Sequence, residues 1–214
     1  MRREHNSNSG SESIPFAEDL VFYAPLTEGD LTDHISGTLP TSSPSGTNGS
    51  GISWDSTNSM YAFEAVSVWG YAALWDQLNM GLSDGDPITI CIDVVEDVDT
   101  FNSSTTNRFN SMIGTPKWTS SKAMVYICHY RYDTTYNALT GLHRYVATWE
   151  NGNIKWYKDG VLSNTGSGWN SNSDFSDNEV TICLIPTNNS YYKIWAKNAR
   201  IYNRAMSASE VAQL

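Results

Sequence analysis

Residues 146–162 read VATWENGNIKWYKDGVL, and the reading of this stretch decides the fold. It holds two turn dipeptides, Asn151-Gly152 and Asp159-Gly160, with NIKWYK between them. Asn-Gly and Asp-Gly tolerate positive φ at both central positions of a type I′ turn, whose twist matches that of the antiparallel strands it joins. Two such turns predict a three-stranded meander. The two-residue strand period then places Ile154 and Trp156 on one face and Lys155, Tyr157 and Asp159 on the other. One face belongs to a core; the other is mixed.

The rest of the chain extends this pattern. In ITICIDVVEDV, Ile88, Ile90, Ile92 and Val94 alternate with Thr89, Cys91 and Asp93, which predicts a central strand. Further strands are expected at LVFYAPL from Leu20, at 111–114, 122–131, 143–150, 153–158, 161–164, 178–185 and 191–202, with turn signals between them. Residues 37–59 read as a long surface loop or irregular strand region, and YAALWDQLNM (71–80) as a short helix or turn. At the C-terminus, Ser207 and Glu210 have the spacing of a capping box, so a helix of one to two turns should follow and bury Val211 and Leu214. The sum is an all-β chain, a two-sheet antiparallel β-sandwich with a short C-terminal helix.

Composition agrees. The chain has 214 residues with eight Trp and twelve Tyr, only 17% charged residues and a formal charge of −10. An acidic chain without a basic stripe repels polyanions, which excludes nucleic acid as the expected partner. No run of eighteen apolar residues is present, and the charged start MRREHNSNSG lacks an apolar stretch of signal-peptide length. A membrane partner is therefore not expected. Cys91, Cys128 and Cys183 sit inside apolar runs and read as buried free thiols, which suits synthesis in a reducing compartment. Residues 1–18 are polar and read as a tail or attachment arm; residues 19–214 form the domain.

Three segments carry a family resemblance. Tyr145-Val-Ala-Thr-Trp149 followed by Lys155-Trp-Tyr-Lys-Asp-Gly160, the terminal Arg200-Ile-Tyr-Asn-Arg-Ala-Met-Ser-Ala-Ser-Glu-Val211, and the opening LVFYAPLTEGDLTDHISG resemble laminin G-like domains of the concanavalin A-like jelly-roll superfamily. Together they bracket about residues 19–214. The resemblance implies a jelly roll and a choice among lectin, hydrolase and inert spacer. It also implies a structural calcium held by Asp33 and by a carboxylate before the last strand's Arg-Ile-Tyr; there this chain has Lys197, a cation that opposes a metal.

Catalysis is not expected. Related glucanases carry a pattern similar to E-x-D-x-E on one strand, and the spacing of Asp93, Glu96, Asp97 and Asp99 does not reproduce it. That cluster reads as a solvated strand end or a turn. His5, His34, His129 and His143 form no metal-ligand pair and no nucleophile motif. Sugar binding needs aromatic faces beside loop amides and carboxylates, and the candidates outside the cleaner strands are Trp69, Tyr71, Trp118 and Trp169. Each also fits a packing role at a sandwich edge. Trp149, Trp156 and Trp195 read as core. The leading expectation is a non-catalytic carbohydrate-recognition or adhesion module without a cofactor, displayed on a larger assembly such as a phage fibre or virion surface. The competing one is a structural virion protein that binds no glycan.

Overall fold

The structure, a computed structural model, describes residues 13–41, 51–66, 72–76, 78–83, 85–96, 111–114, 126–128, 141–166, 179–184 and 191–214. The strands are β1 (Leu20–Ala24), β2 (Gly51–Asp55), β3 (Met60–Val66), β4 (Ala73–Trp75), β5 (Ile88–Glu96), β6 (Ser111–Gly114), β7 (Tyr126–Cys128), β8 (His143–Glu150), β9 (Asn153–Lys158), β10 (Val161–Gly166), β11 (Val180–Leu184) and β12 (Tyr191–Tyr202); one helix, α1 (Ala208–Val211), follows. They form an antiparallel β-sandwich. Its larger sheet runs β10-β9-β8-β5-β12-β3-β2, with β1 also on β12, and its smaller sheet runs β4-β11-β6-β7.

The meander forms as the turn chemistry dictates. Asn151 and Gly152 have φ of 49° and 75°, Asp159 and Gly160 have 51° and 77°, and each turn is a two-residue connection closed by the pairs Glu150↔Asn153 and Lys158↔Val161. All four residues occupy the left-handed region that a type I′ turn requires. Asp159 also secures its own turn, because its carboxylate accepts from the Arg144 amide at 2.9 Å and bonds His143 Nδ1 at 2.7 Å.

Period two then sorts the side chains of the larger sheet. Ile88, Ile90, Ile92 and Val94 of β5 are fully buried between the sheets, with Ala147 and Trp149 of β8, Ile154 of β9, and Ile194, Ala196, Ala199 and Ile201 of β12. The smaller sheet answers with Ala73, Trp75, Val180 and Ile182, and Phe22 of β1 meets Trp75 edge-on at 5.4 Å between ring centroids. As expected from the sequence, β5 is central, flanked by β8 and β12.

On the opposite face of the larger sheet a second cluster forms from Cys91, Val146, Tyr157 and Tyr202 beneath Met206, Val211 and Leu214. The C-terminal segment caps one end of this outer face. Its helix begins as predicted: Ser207 Oγ accepts from the Glu210 amide while the Glu210 carboxylate accepts from the Ser207 amide. Thr89, fully buried, anchors the segment to β5 by donating to the Arg204 carbonyl at 2.8 Å and accepting from the Met206 amide at 2.9 Å. Arg204 gathers the chain ends, bonding Asp19 and Glu210 and lying 5.1 Å over the Phe16 ring.

Several local expectations are corrected. Ala73–Trp75 of the segment read as a short helix or turn is β4, because Ala73 and Trp75 point into the sandwich and the strand has β11 to pair with; Leu78 and Met80 are buried in non-helical chain. Residues 51–55, read as loop or irregular strand, form a regular strand on β3. Cys91 is buried and free, while the side chains of Cys128 and Cys183 lie outside the described residues.

Valine at position 89 keeps the shape of threonine but strands both backbone groups that Thr89 satisfies. Thr89→Val should lower unfolding stability by about 2 kcal/mol, as buried unsatisfied groups cost about 1–3 kcal/mol each. Urea denaturation followed by far-UV circular dichroism measures this, and a change below about 0.5 kcal/mol would contradict the clamp.

Candidate functional site

The four aromatic residues singled out from the sequence, Trp69, Tyr71, Trp118 and Trp169, lie outside the described residues. Among those described, the outer face of the larger sheet holds the arrangement suited to binding, and it centres on Trp195.

Trp195 corrects the expectation of a core residue. Ile194 and Ala196 fill the inward positions of β12, so alternation turns Trp195 and Lys197 outward. The indole is half-buried, and its Nε1 donates to Asp55 Oδ2 at 2.8 Å. Asp55 is on β2, and β3 lies between β2 and β12. Strands are about 4.8 Å apart, so an indole N–H that starts on β12 reaches a carboxylate on β2 only if the ring lies along the sheet surface. It crosses β3 at Ala62, the residue opposite Trp195, whose small side chain is only 2% exposed.

Asp55 is itself held by local bonds. Asn58 Nδ2 donates to it at 2.8 Å, as do the backbone amides of Thr57 and Asn58 at 2.8 and 3.3 Å. The Asn58 amide, then the Thr57 and Asn58 N–H groups and the Trp195 indole, hold the Asp55 carboxyl below the usual aspartate range despite a partial desolvation. This is an indole fixed flat on a sheet by a carboxylate that favours its charged form.

Beside it is a polar row across β8, β5 and β12. Asp93 accepts from Arg144 Nε at 2.5 Å and Nη2 at 2.9 Å in a two-pronged pair, and from Asn198 Nδ2 at 2.9 Å. The bond to Asp93 raises the Arg144 pKa. Asp93 is 3% exposed, so the solvated strand end expected for this acidic stretch is not what this residue makes. Its lone pairs are engaged by a guanidinium and an amide, which removes it as a general acid or nucleophile. Arg200, 5% exposed, points to the Tyr202 hydroxyl and the Cys91 sulfur at 3.4 and 3.6 Å. Burial pushes the Cys91 thiol up to about 11, so it is an unreactive packing group.

The calcium site that the sequence resemblance implies does not fit these residues. Asp33 is fully buried and accepts four hydrogen bonds, from the amides of Tyr23, Ile35 and Ser36 and from the Ser36 hydroxyl. Those bonds tie the loop after β1 back onto β1 and occupy the oxygens that a cation would need. Lys197, on the outer face opposite Asp93, is a cation at the second position. Among the described residues no group of three or more His, Cys, Asp or Glu side chains is placed to hold a metal ion.

No family model matches the chain, and no curated protein matches it by sequence. Solved structures do resemble it. The botulinum neurotoxin serotype D binding domain superposes with a TM-score of 0.63 at 12% identity, over 92% of this chain and 50% of that one. The serotype G binding domain gives 0.59 at 15%, over 91% and 50%. A serotype D ligand-binding domain in complex with N-acetylneuraminic acid gives 0.63 at 13%, over 92% and 50%. The chain thus spans about half the length of these domains. At such identities the likeness establishes the β-sandwich.

A carboxyl with a depressed pKa in the fold contributes stability above its unfolded value and loses it as pH falls through the lower folded value. The Trp195–Asp55 bond should therefore survive acidification through pH 3.8, where an ordinary aspartate is already half protonated. The indole Nε1–H resonance, followed by ¹⁵N NMR from neutral pH downward, should stay in place over that range. Movement with the midpoint of an ordinary aspartate would contradict the anchored geometry.

Proposed function

We propose that this chain is a non-catalytic recognition module of the laminin G-like, concanavalin A-like jelly-roll type, and that it binds carbohydrate on the outer face of its larger sheet. The observation that carries the reading is Trp195, laid along the sheet over Ala62 and held there by Asp55. A flat, immobilised indole offers an apolar face to the C–H side of a pyranose at little entropic cost, and the polar groups beside it can address the hydroxyls. The receptor-binding and sialic-acid-complexed domains that share the fold support a recognition role. The engagement of Asp93 by Arg144 and Asn198 supports a role without catalysis.

The setting we propose is display on a larger assembly, such as a phage fibre or virion surface, after synthesis in cytoplasm. The buried free thiol of Cys91 and the polar, Ser- and Asn-rich start of the chain support it. Because Phe16 and Asp19 bind the C-terminal segment through Arg204, the arm available for attachment ends before them.

A glycan array probed with the purified chain should show binding, and Trp195→Ala should weaken it at least tenfold, about 1.4 kcal/mol. Trp195→Phe, which keeps a ring but loses the Asp55 anchor, should fall between the two. Absence of binding at millimolar sugar would sink the carbohydrate reading. For the setting, deletion of residues 2–12 should abolish incorporation into the assembly while thermal unfolding stays unchanged. Retained incorporation would refute the arm's role.

A further inference from the structure

Strand β10 ends the larger sheet, and among the described residues no strand lies beyond it. Its six residues, VLSNTG, carry no charge and no proline, and every one from Val161 to Thr165 is exposed. Val161 and Leu162 are 69% and 49% exposed, and by alternation they stand on opposite faces. Natural sheets blunt such an edge with lysine, proline or a covering segment, because an open row of N–H and C=O groups is a template for another strand. β10 carries only a bulge, at Ser163 between the pairs of Leu162 and Asn164 with β9.

The bulge decides which strand fits. Val161 closes the hairpin with Lys158, so its backbone groups face β9; alternation turns those of Leu162 to the open edge and, past the bulge, those of Thr165. In agreement, the Thr165 N–H donates to Asn164 Oδ1 at 2.8 Å and not to a β9 carbonyl. A regular strand presents open-edge groups at every second residue, whereas β10 presents them at Leu162 and Thr165, one residue further apart. A second copy of β10, run antiparallel, has the same spacing: Leu162 meets Thr165 of the second copy, and Thr165 meets its Leu162.

The same register sets Val161 opposite Gly166 of the second copy. Gly166 leaves a gap in the inner face, where an added Cβ would stand 3.0 Å from Ile154 Cγ2 and 3.1 Å from Trp156 Cη2. An exposed valine on one copy therefore meets a hollow floored by a methyl group and an indole edge on the other, and the symmetry repeats the contact. The rows across the junction are Lys158 and Val161 followed by Gly166 and Ile154 of the second copy, and Tyr157 and Leu162 followed by its Thr165 and Lys155. Neither row opposes like charges, in a chain whose formal charge of −10 repels its own copies elsewhere. We propose that the chain dimerises about a two-fold axis by antiparallel pairing of β10 with β10 of a second copy. Six residues a side fall short of the roughly 20–30 of a standard interface, so the pairing is weak. On the recognition reading it presents two Trp195 platforms per particle and raises avidity for a repeating ligand, but the pairing itself does not rest on that reading.

Sedimentation velocity of the full chain tests the pairing. Between about 1 μM and 1 mM the sedimentation coefficient should climb from that of a monomer toward that of a dimer. Val161→Lys, which sets an ammonium against the Gly166 hollow, should weaken the dimer about tenfold or more, and so should Leu162→Lys on the other face. Both positions are exposed, so thermal unfolding should stay unchanged in each variant. Leu39→Lys, at an exposed leucine on the loop after β1, should leave dimerisation as it is. A monomer at every concentration, a dimer unmoved by Val161→Lys and Leu162→Lys, or equal weakening by Leu39→Lys would overturn the inference.

Discussion

The fold depends on one irregularity in the register of its longest strand. Between Lys197 and Arg200 the pairing of β12 with β5 shifts, and Asn198 adopts a left-handed φ of 55°, a conformation Asn tolerates better than most residues. Before the bulge, Ile194 and Ala196 face the core; after it, Ala199 and Ile201 do. Without the extra residue, strict alternation would carry Asn198, Arg200 and Tyr202 inward, burying a guanidinium in the sandwich. The bulge is secured on both sides, for the Asn198 amide donates to the Pro25 carbonyl and its side chain donates to Asp93. One strand edge can then serve β3 along its first half and β1 along its second.

That phase change also creates the two halves of the outer face. After the bulge, Tyr202 joins Cys91, Val146 and Tyr157 under the C-terminal helix, a closed apolar cap with Thr89 as its polar clasp. Before it, Trp195 and Lys197 stay on the part of the face beyond that cap. Trp149 and Trp195 show how position decides the fate of one residue type. The first sits on the inward phase of β8 and is 2% exposed; the second sits on the outward phase of β12 and uses its N–H as a lateral anchor. The recognition site we propose lies on the uncapped half, where an aromatic surface and charged groups meet.

Much of this fold was legible in the chain. The turn dipeptides, the alternation of β5 and the Ser207–Glu210 box are local signals with local causes, and β8, β9 and β12 fall on the residues where the pattern placed them. The misses have a different cause. Leu74, Leu78 and Met80 stand near helical spacing, yet β11 offers Ala73–Trp75 a partner strand, and pairing of that kind is not written in any window of a few residues. The site is less legible: Trp195 lies on a strand and so reads as core, while Trp69, Tyr71, Trp118 and Trp169 stand out as lying outside the cleaner strands. A usable signal was present: Ile194 and Ala196 are two apart, Ala199 and Ile201 are two apart, and the step of three between the pairs marks the bulge and puts Trp195 outside. The reach from Trp195 to Asp55 spans 140 residues of chain and no sequence pattern announces it.

The central claim, that recognition occurs on the uncapped outer face, is tested most directly by the indole N–H resonances of the eight tryptophans during titration with a bound glycan, Trp195 being identified by its loss in Trp195→Phe. The Trp195 resonance should shift most, while that of Trp149 in the core stays fixed. A glycan that binds and moves other indoles while leaving Trp195 untouched would contradict it.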